Sequence, residues 1–267
     1  MRNAAEVGPH GRAENLADLS TGLPAVDRYL ADGYLAVRGM SSTFAAYIIG
    51  ALLRIQTEHD ISGHLAEIGT FEGRLFIALA HALPPGERAI GIDHFEWPDA
   101  GVRGRFEQSC ARYGPSSDRI QVIQADSRKL TTHDLLGSSP VQRIRFFHID
   151  GEHTADHLAK DLALAYSTLA PAGVICLDDM LHPGYPLLAI TVNEFLSAHP
   201  ELRVFCVIDR EDIVGAAKFM ICRAEHADFY GHALAAAFPE KVWPMGADFI
   251  AYKAFVLTPA PRLAKID

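Results

Sequence analysis

The side chains best suited to chemistry fall in two short clusters. The first is Asp150-Gly151-Glu152-His153, and the second, 28 residues beyond Asp150, is Asp178-Asp179. Each cluster follows an apolar run, residues 144–150 and 173–179, and one helical segment lies between them. Two apolar runs joined through a helix read as neighbouring parallel strands, so Asp150 and the acidic pair should meet at the strands' carboxyl ends. Carboxylates that converge in an apolar setting repel one another unless a cation offsets them. Oxygen donors of this kind suit Mg²⁺, Mn²⁺ or Ca²⁺ and leave coordination positions for water and substrate. Asp150, Asp178 and Asp179 are therefore the expected metal ligands. The competing structural role is plain capping of the turns and helix that follow.

A third feature lies upstream. The apolar run at 64–69 continues as Glu67-Ile68-Gly69-Thr70-Phe71-Glu72-Gly73 and leads straight into a helix. Glycine at a strand-to-helix turn lets the backbone bend tightly or approach a ligand. The spacing is G-x-x-x-G, without the extra glycine of the dinucleotide fingerprint. An acid just before the turn would repel a phosphate, whereas Glu67 favours the ammonium and sulfonium groups of a ligand such as S-adenosylmethionine. Asp93 ends the next run, 24 residues beyond Gly69, where an acid commonly holds ribose hydroxyls. His94 follows it and is expected to line the adenosine pocket, and Asp126-Ser127 ends the third run, within reach of an adenine edge. The expected cofactor set is Glu67, Gly69, Thr70, Gly73, Asp93, His94, Asp126, Ser127 and Asp150. His148 reads as a core side chain. His157, His182, Trp97 and Tyr185 are placed to contact substrate or merely to pack loops.

The elements that must position these groups follow from periodicity. Apolar runs at 64–69, 88–93, 120–126, 144–150 and 173–179 alternate with helical segments at 73–83, 102–113, 131–136 and 154–169. Strands that are apolar throughout predict a parallel sheet covered on both faces, and the alternation predicts a doubly wound α/β fold. A helix near 187–198 and two strands, 204–209 and 217–223, come next; the short connection between the last two requires an antiparallel pair. Residues 23–58 carry helical spacing, with Ser41, Ser42 and Thr43 as candidate caps, and residues 1–20 read as a loose arm.

Bulk properties narrow the function. The 267 residues carry a net charge of −9 with scattered basic groups, against the clustered cations that nucleic-acid binding needs. The four cysteines stand far apart with no zinc spacing, and read as free thiols in a reducing compartment. No apolar run approaches the ~20 residues of a membrane span, and no signal pattern opens the chain. The expectation is a cytoplasmic homo-oligomer that binds neither nucleic acid nor membrane and acts on a small hydroxylated molecule.

The turn at 67–73, the I-D-G-x-H element at 149–153 and the L-D-D element at 177–179 together resemble the macrocin O-methyltransferase-like group. That group comprises metal-dependent antibiotic and sugar O-methyltransferases within the class I S-adenosylmethionine-dependent methyltransferases, and the resemblance spans about residues 60–223. It implies a Rossmann-like α/β sandwich: a seven-stranded, mostly parallel sheet with a C-terminal antiparallel hairpin and additional N-terminal helices. It divides the chain into an arm and helical lid or oligomer segment (1–60), a cofactor-binding methyltransferase domain (61–223) and a C-terminal extension (224–267). It also implies S-adenosylmethionine as cofactor, Mg²⁺ on Asp150, Asp178 and Asp179, His153 as general base beside Asp150, and a sugar or phenol hydroxyl of a secondary metabolite as acceptor. An imidazole titrates in the range a base needs near neutrality. A metal-independent methyltransferase, an NAD-dependent oxidoreductase and a catalytically silent cofactor-binding subunit stay open beside it.

Overall fold

A computed structural model describes residues 16, 18–138, 143–249 and 251–260. The loose arm expected over residues 1–20 lies for the most part outside them. The sheet is built from β1 (His64–Ile68), β2 (Ala89–Asp93), β3 (Ile120–Gln124), β4 (Ile144–Ile149), β5 (Leu169–Met180), β6 (Leu202–Ile208), β7 (Ala217–Arg223), β8 (Ala247–Phe249) and β9 (Tyr252–Leu257). Its order is β3-β2-β1-β4-β5-β7-β6-β9-β8. The first five strands are parallel, and β7 runs antiparallel to both β5 and β6. β1 and β4 are buried along their whole length, which is why they read as continuous apolar runs rather than alternating ones.

The fold differs from the expected seven strands at one edge. β9 adds to β6 in parallel, and β8 returns antiparallel to β9. An uncovered β6 would present a row of unpaired backbone groups, and the C-terminal extension covers it.

Helices flank both faces. On one side α1 (Pro24–Asp32), α2 (Thr43–Glu58), α3 (Arg74–His81), α4 (Val102–Tyr113) and α8 (Ala224–Ala237) bury Val26, Ile48, Leu52, Phe76, Phe106 and Tyr230 against the sheet. On the other, α5 (Thr132–Leu136), α6 (Ala155–Thr168) and α7 (Pro186–Ala198) contribute Leu135, Leu162 and Val192. Ser42 caps α2 by accepting the Ala45 N–H at 3.0 Å. Phe44, Ile48, Ile49, Leu52, Leu53 and Ile55 of that helix are all buried, so α2 is a core helix of the sheet's face rather than a cover standing over the strand ends. The part of the N-terminal segment that does reach the site is the stretch before it, where Arg38 pairs with Glu72 at 2.9 Å. Glu211, in the β6–β7 connection, accepts the Phe44 N–H at 2.6 Å and ties that connection to the start of α2. The four cysteines are free, and no helix among the described residues is long and apolar enough to cross a membrane.

Candidate active site

The glycine turn is shaped by contacts that only glycine permits. Gly69 has φ +83°, and a Cβ there would collide with the Asp150 backbone carbonyl at the end of the neighbouring strand. Gly73, at φ +94°, is the residue from which α3 starts. Phe71 and Phe95 also adopt left-handed φ of 50° and 56°, and the Asp93 carboxylate holds both, accepting their N–H groups at 2.9 and 2.7 Å. Glu67 is buried; its Oε1 accepts from His148 Nδ1 at 2.8 Å, while Oε2 has no partner. The buried Thr70 hydroxyl is unpartnered as well. Buried polar atoms left unsatisfied are costly, so two of them beside one glycine turn fit a polar ligand seated there. Burial, and next the charge of Asp150, hold the Glu67 carboxyl far above its ordinary range.

Not every expected cofactor residue faces this turn freely. His94 is exposed and its Nδ1 accepts the Glu96 N–H at 3.0 Å, a local turn at the rim. Asp126 is engaged by Arg128, whose backbone N–H, Nε and Nη2 all donate to it at 2.9–3.1 Å, and these bonds bring its pKa down to about 2. Ser127 is half-buried beside it.

The acids meet as their spacing requires, with one substitution of role. Ligand atoms of Asp150, His153 and Asp179 all lie within 4.8 Å of one another. His153 Nε2 is 2.5 Å from Asp179 Oδ2 and 3.7 Å from Asp150 Oδ1. The approach is off the N–H direction, so the contact is an ion pair and Nε2 makes no aligned hydrogen bond. Burial opposes charge on this imidazole, yet Asp150 and Asp179 raise its pKa to about 10. Asp150 itself is pushed up to about 7 by burial and by Asp178. Asp179 and Leu181 have left-handed φ of 56° and 63°, a tight turn that starts where β5 ends.

Asp178 is held differently. Its Oδ1 accepts the Asp179 N–H at 2.8 Å, and its Oδ2 is bonded by Lys218 Nζ from β7. Burial would raise its pKa, but the charge of Lys218 keeps it below the ordinary value. His148 Nε2 lies 3.8 Å from the same Oδ2, so Glu67, His148, Asp178 and Lys218 form one buried chain across β1, β4, β5 and β7. Burial and the charge of Lys218 push the His148 pKa down to about 3, so its imidazole is neutral. The expectation that His148 belongs to the core holds for its burial, but its bonds make it part of the site. The sequence carries no local signal for the bonds of His148, and for Lys218 only that of a single lysine within the apolar strand Ala217–Arg223.

Residues 66–180, from the glycine turn to the acidic pair, match the family model described as a methyltransferase domain. That segment is similar to a methyltransferase domain, and the sheet around it has the class I methyltransferase fold. Solved structures share the fold. TomG, an O-methyltransferase of Streptomyces achromogenes involved in tomaymycin synthesis and solved with S-adenosylmethionine, has a TM-score of 0.54 at 18% identity over 79% of this chain and 95% of its own. CalS11, a calicheamicin methyltransferase, has a TM-score of 0.51 at 16% identity over 84% and 95%. The methyltransferase PaMTH1 of Podospora anserina, solved with S-adenosylhomocysteine bound, has 0.53 at 13% over 84% and 97%. No curated protein sequence matches the chain.

The walls beside the acids are aromatic and apolar. Tyr185 stacks on His153 with ring centroids 4.3 Å apart and on His182 at 4.7 Å. Leu181 and Ile213, both more than half exposed, line a cleft with Met180, His182 and Arg210. Trp97, also exposed, packs on Phe71 of the glycine turn at 5.4 Å. His157 is half-buried and bonded to the Thr154 hydroxyl at 2.7 Å, which places it in the cap of α6.

Proposed function

We propose that the protein moves the methyl group of S-adenosylmethionine to a hydroxyl of a small molecule, with a divalent ion at Asp150 and Asp179 and with His153 as the proton acceptor. The observation that carries this is the adjacency of two unsatisfied centres. The unpartnered Glu67 Oε2 and Thr70 hydroxyl belong to the glycine turn, and the Asp150–His153–Asp179 cluster begins where that turn touches the Asp150 carbonyl. Glu67 would receive the cofactor's ammonium group, Asp93 would orient the ribose, and the Gly69–Gly73 backbone would approach without side-chain obstruction. The bound cofactor supplies an electrophilic methyl group.

Two carboxylates and a nearby imidazole suit Mg²⁺, which commonly takes one or two protein carboxylates and keeps the rest of its shell for water and substrate. An ion held there lowers the pKa of a coordinated hydroxyl. One imidazole nitrogen cannot both ligate and accept a proton, so the carboxylates are assigned to the ion, which would replace the imidazolium as their partner and leave His153 Nε2 neutral and able to take the proton. Tyr185, stacked on His153, forms a flat wall against which an aromatic or sugar ring would lie. The TomG and CalS11 names support acceptors from secondary metabolism. Arg38, on Glu72 and over the Phe71 ring, is the N-terminal group placed to close the cofactor side.

The test is incubation with S-adenosylmethionine and a panel of phenols and sugar hydroxyls, read by mass and NMR of the product, with and without chelator. O-methylation that stops with chelator or with Asp179→Asn supports the proposal. N-methylation would overturn the hydroxyl assignment, and O-methylation indifferent to chelator would remove the ion.

A further inference from the structure

One buried cation has no part in that chemistry. Lys218 is 1% exposed, in a strand that is otherwise apolar apart from the arginine at its end. A buried ammonium is tolerated only when paired. Its partner is Asp178 Oδ2, and the other oxygen of that carboxylate is taken by the Asp179 N–H at 2.8 Å. Both oxygens are thus engaged, and an ammonium on one of them repels a second cation from the same carboxylate. The consequence reaches the next residue. The Asp178 bond to the Asp179 N–H braces a left-handed turn at φ 56°, and that turn aims the Asp179 carboxylate at His153 and Asp150.

We propose that Lys218 is the resident cation of the acid cluster: it, rather than the ion, neutralises Asp178, and through Asp178 it sets the turn that presents Asp179. Lys218 is then a positioning residue, and the ion's protein carboxylates are Asp150 and Asp179 alone. This rests on the ion-binding proposal above.

The test removes the buried pair together, Lys218→Met with Asp178→Asn, so that no lone charge is left inside and the Asn oxygen can still accept the Asp179 N–H. Mn²⁺ binding to the purified full chain is titrated by electron paramagnetic resonance, and melting is followed in chelator. The paired variant should bind Mn²⁺ within about threefold of the wild type, whereas Asp150→Asn and Asp179→Asn should each weaken it by about tenfold or more. Lys218→Met alone should melt well below the paired variant in chelator and recover on adding Mn²⁺, because a bare Asp178 then needs a cation. A paired variant that loses Mn²⁺ as severely as Asp150→Asn makes Asp178 a ligand and overturns the proposal. If the wild type binds no Mn²⁺, the ion-binding proposal falls. Melting in chelator then decides the role of Lys218: a lower value for the single variant than for the paired one supports it, and equal values overturn it.

Discussion

Asp161 offers a perturbation whose size and sign both follow from the structure. It lies on α6 with its side chain against Gly151, fully buried, and neither carboxylate oxygen has a hydrogen-bond partner among the described residues. Burial raises its pKa from the ordinary 3.8 to about 6, with the nearby Ser127 offsetting part of the effect. A raised folded-state pKa means that the neutral form is the one the fold accommodates. Below about pH 3 the group is neutral in both folded and unfolded chains and has no effect on stability relative to a neutral analogue. As pH rises from about 4 to about 6 the unfolded chain ionises this group while the folded chain still keeps it neutral, so stability falls across that window and no further above it. At about 1.4 kcal/mol per pKa unit, the loss is complete near neutrality at up to roughly 3 kcal/mol. Asp161→Asn removes the charge while matching the neutral carboxyl in size. The variant should be more stable than the wild type by roughly 1–3 kcal/mol at pH 7 and by no more than about 0.5 kcal/mol at pH 4, measured by urea unfolding at both values. A variant less stable at pH 7, or one with the same difference at both pH values, would refute the assignment of an uncompensated carboxylate at this position.

Two further predictions concern the cofactor turn. Gly69→Ala puts a Cβ into the Asp150 carbonyl at a left-handed φ; the conformational cost alone is about 1–2 kcal/mol, so the melting temperature should fall and S-adenosylmethionine binding should be lost in calorimetry. An unaltered affinity would mean that the turn does not touch the ligand. Glu67→Gln keeps an oxygen for His148 but cannot ionise against an arriving ammonium, an interaction worth about 1.5–3 kcal/mol, so affinity for S-adenosylmethionine should drop roughly 10- to 100-fold with little change in melting. A drop in melting without a drop in affinity would assign Glu67 to the fold.

The parts of this molecule that were legible in the sequence are those set by local pattern. The glycine turn, the strand-terminal acids and the alternation of the first five strands with helices rest on short apolar runs that end in polar residues, of which β1, β2, β4 and β5 are buried almost throughout. The β6–β7 hairpin was legible because its connection is too short for a crossover. What escaped depended on partners far along the chain. Lys218 reaches Asp178 across 40 positions, and a lone lysine in a strand ordinarily points to water. β8 has three residues, too few for a periodic signal, and β9 is specified by the open edge of β6 rather than by its own pattern. Asp126 shows the reverse limit: its strand-end position suggested a ligand group, but Arg128, two residues on, occupies the carboxylate. The helical spacing of residues 23–58 corresponds to α1 and α2 but not to the stretch at 37–42 between them, and the burial of α2 on nearly all sides depends on α3 and α8 packing beside it.

The central claim is that the glycine turn behind Glu67 binds S-adenosylmethionine, and calorimetric titration of the full chain in the presence of chelator tests it most directly, with NAD⁺ titrated in parallel. Saturable binding of S-adenosylmethionine at one site per chain, with none of NAD⁺, is the predicted result. Absence of S-adenosylmethionine binding, or binding of NAD⁺ in its place, would contradict it and with it the role given to Glu67.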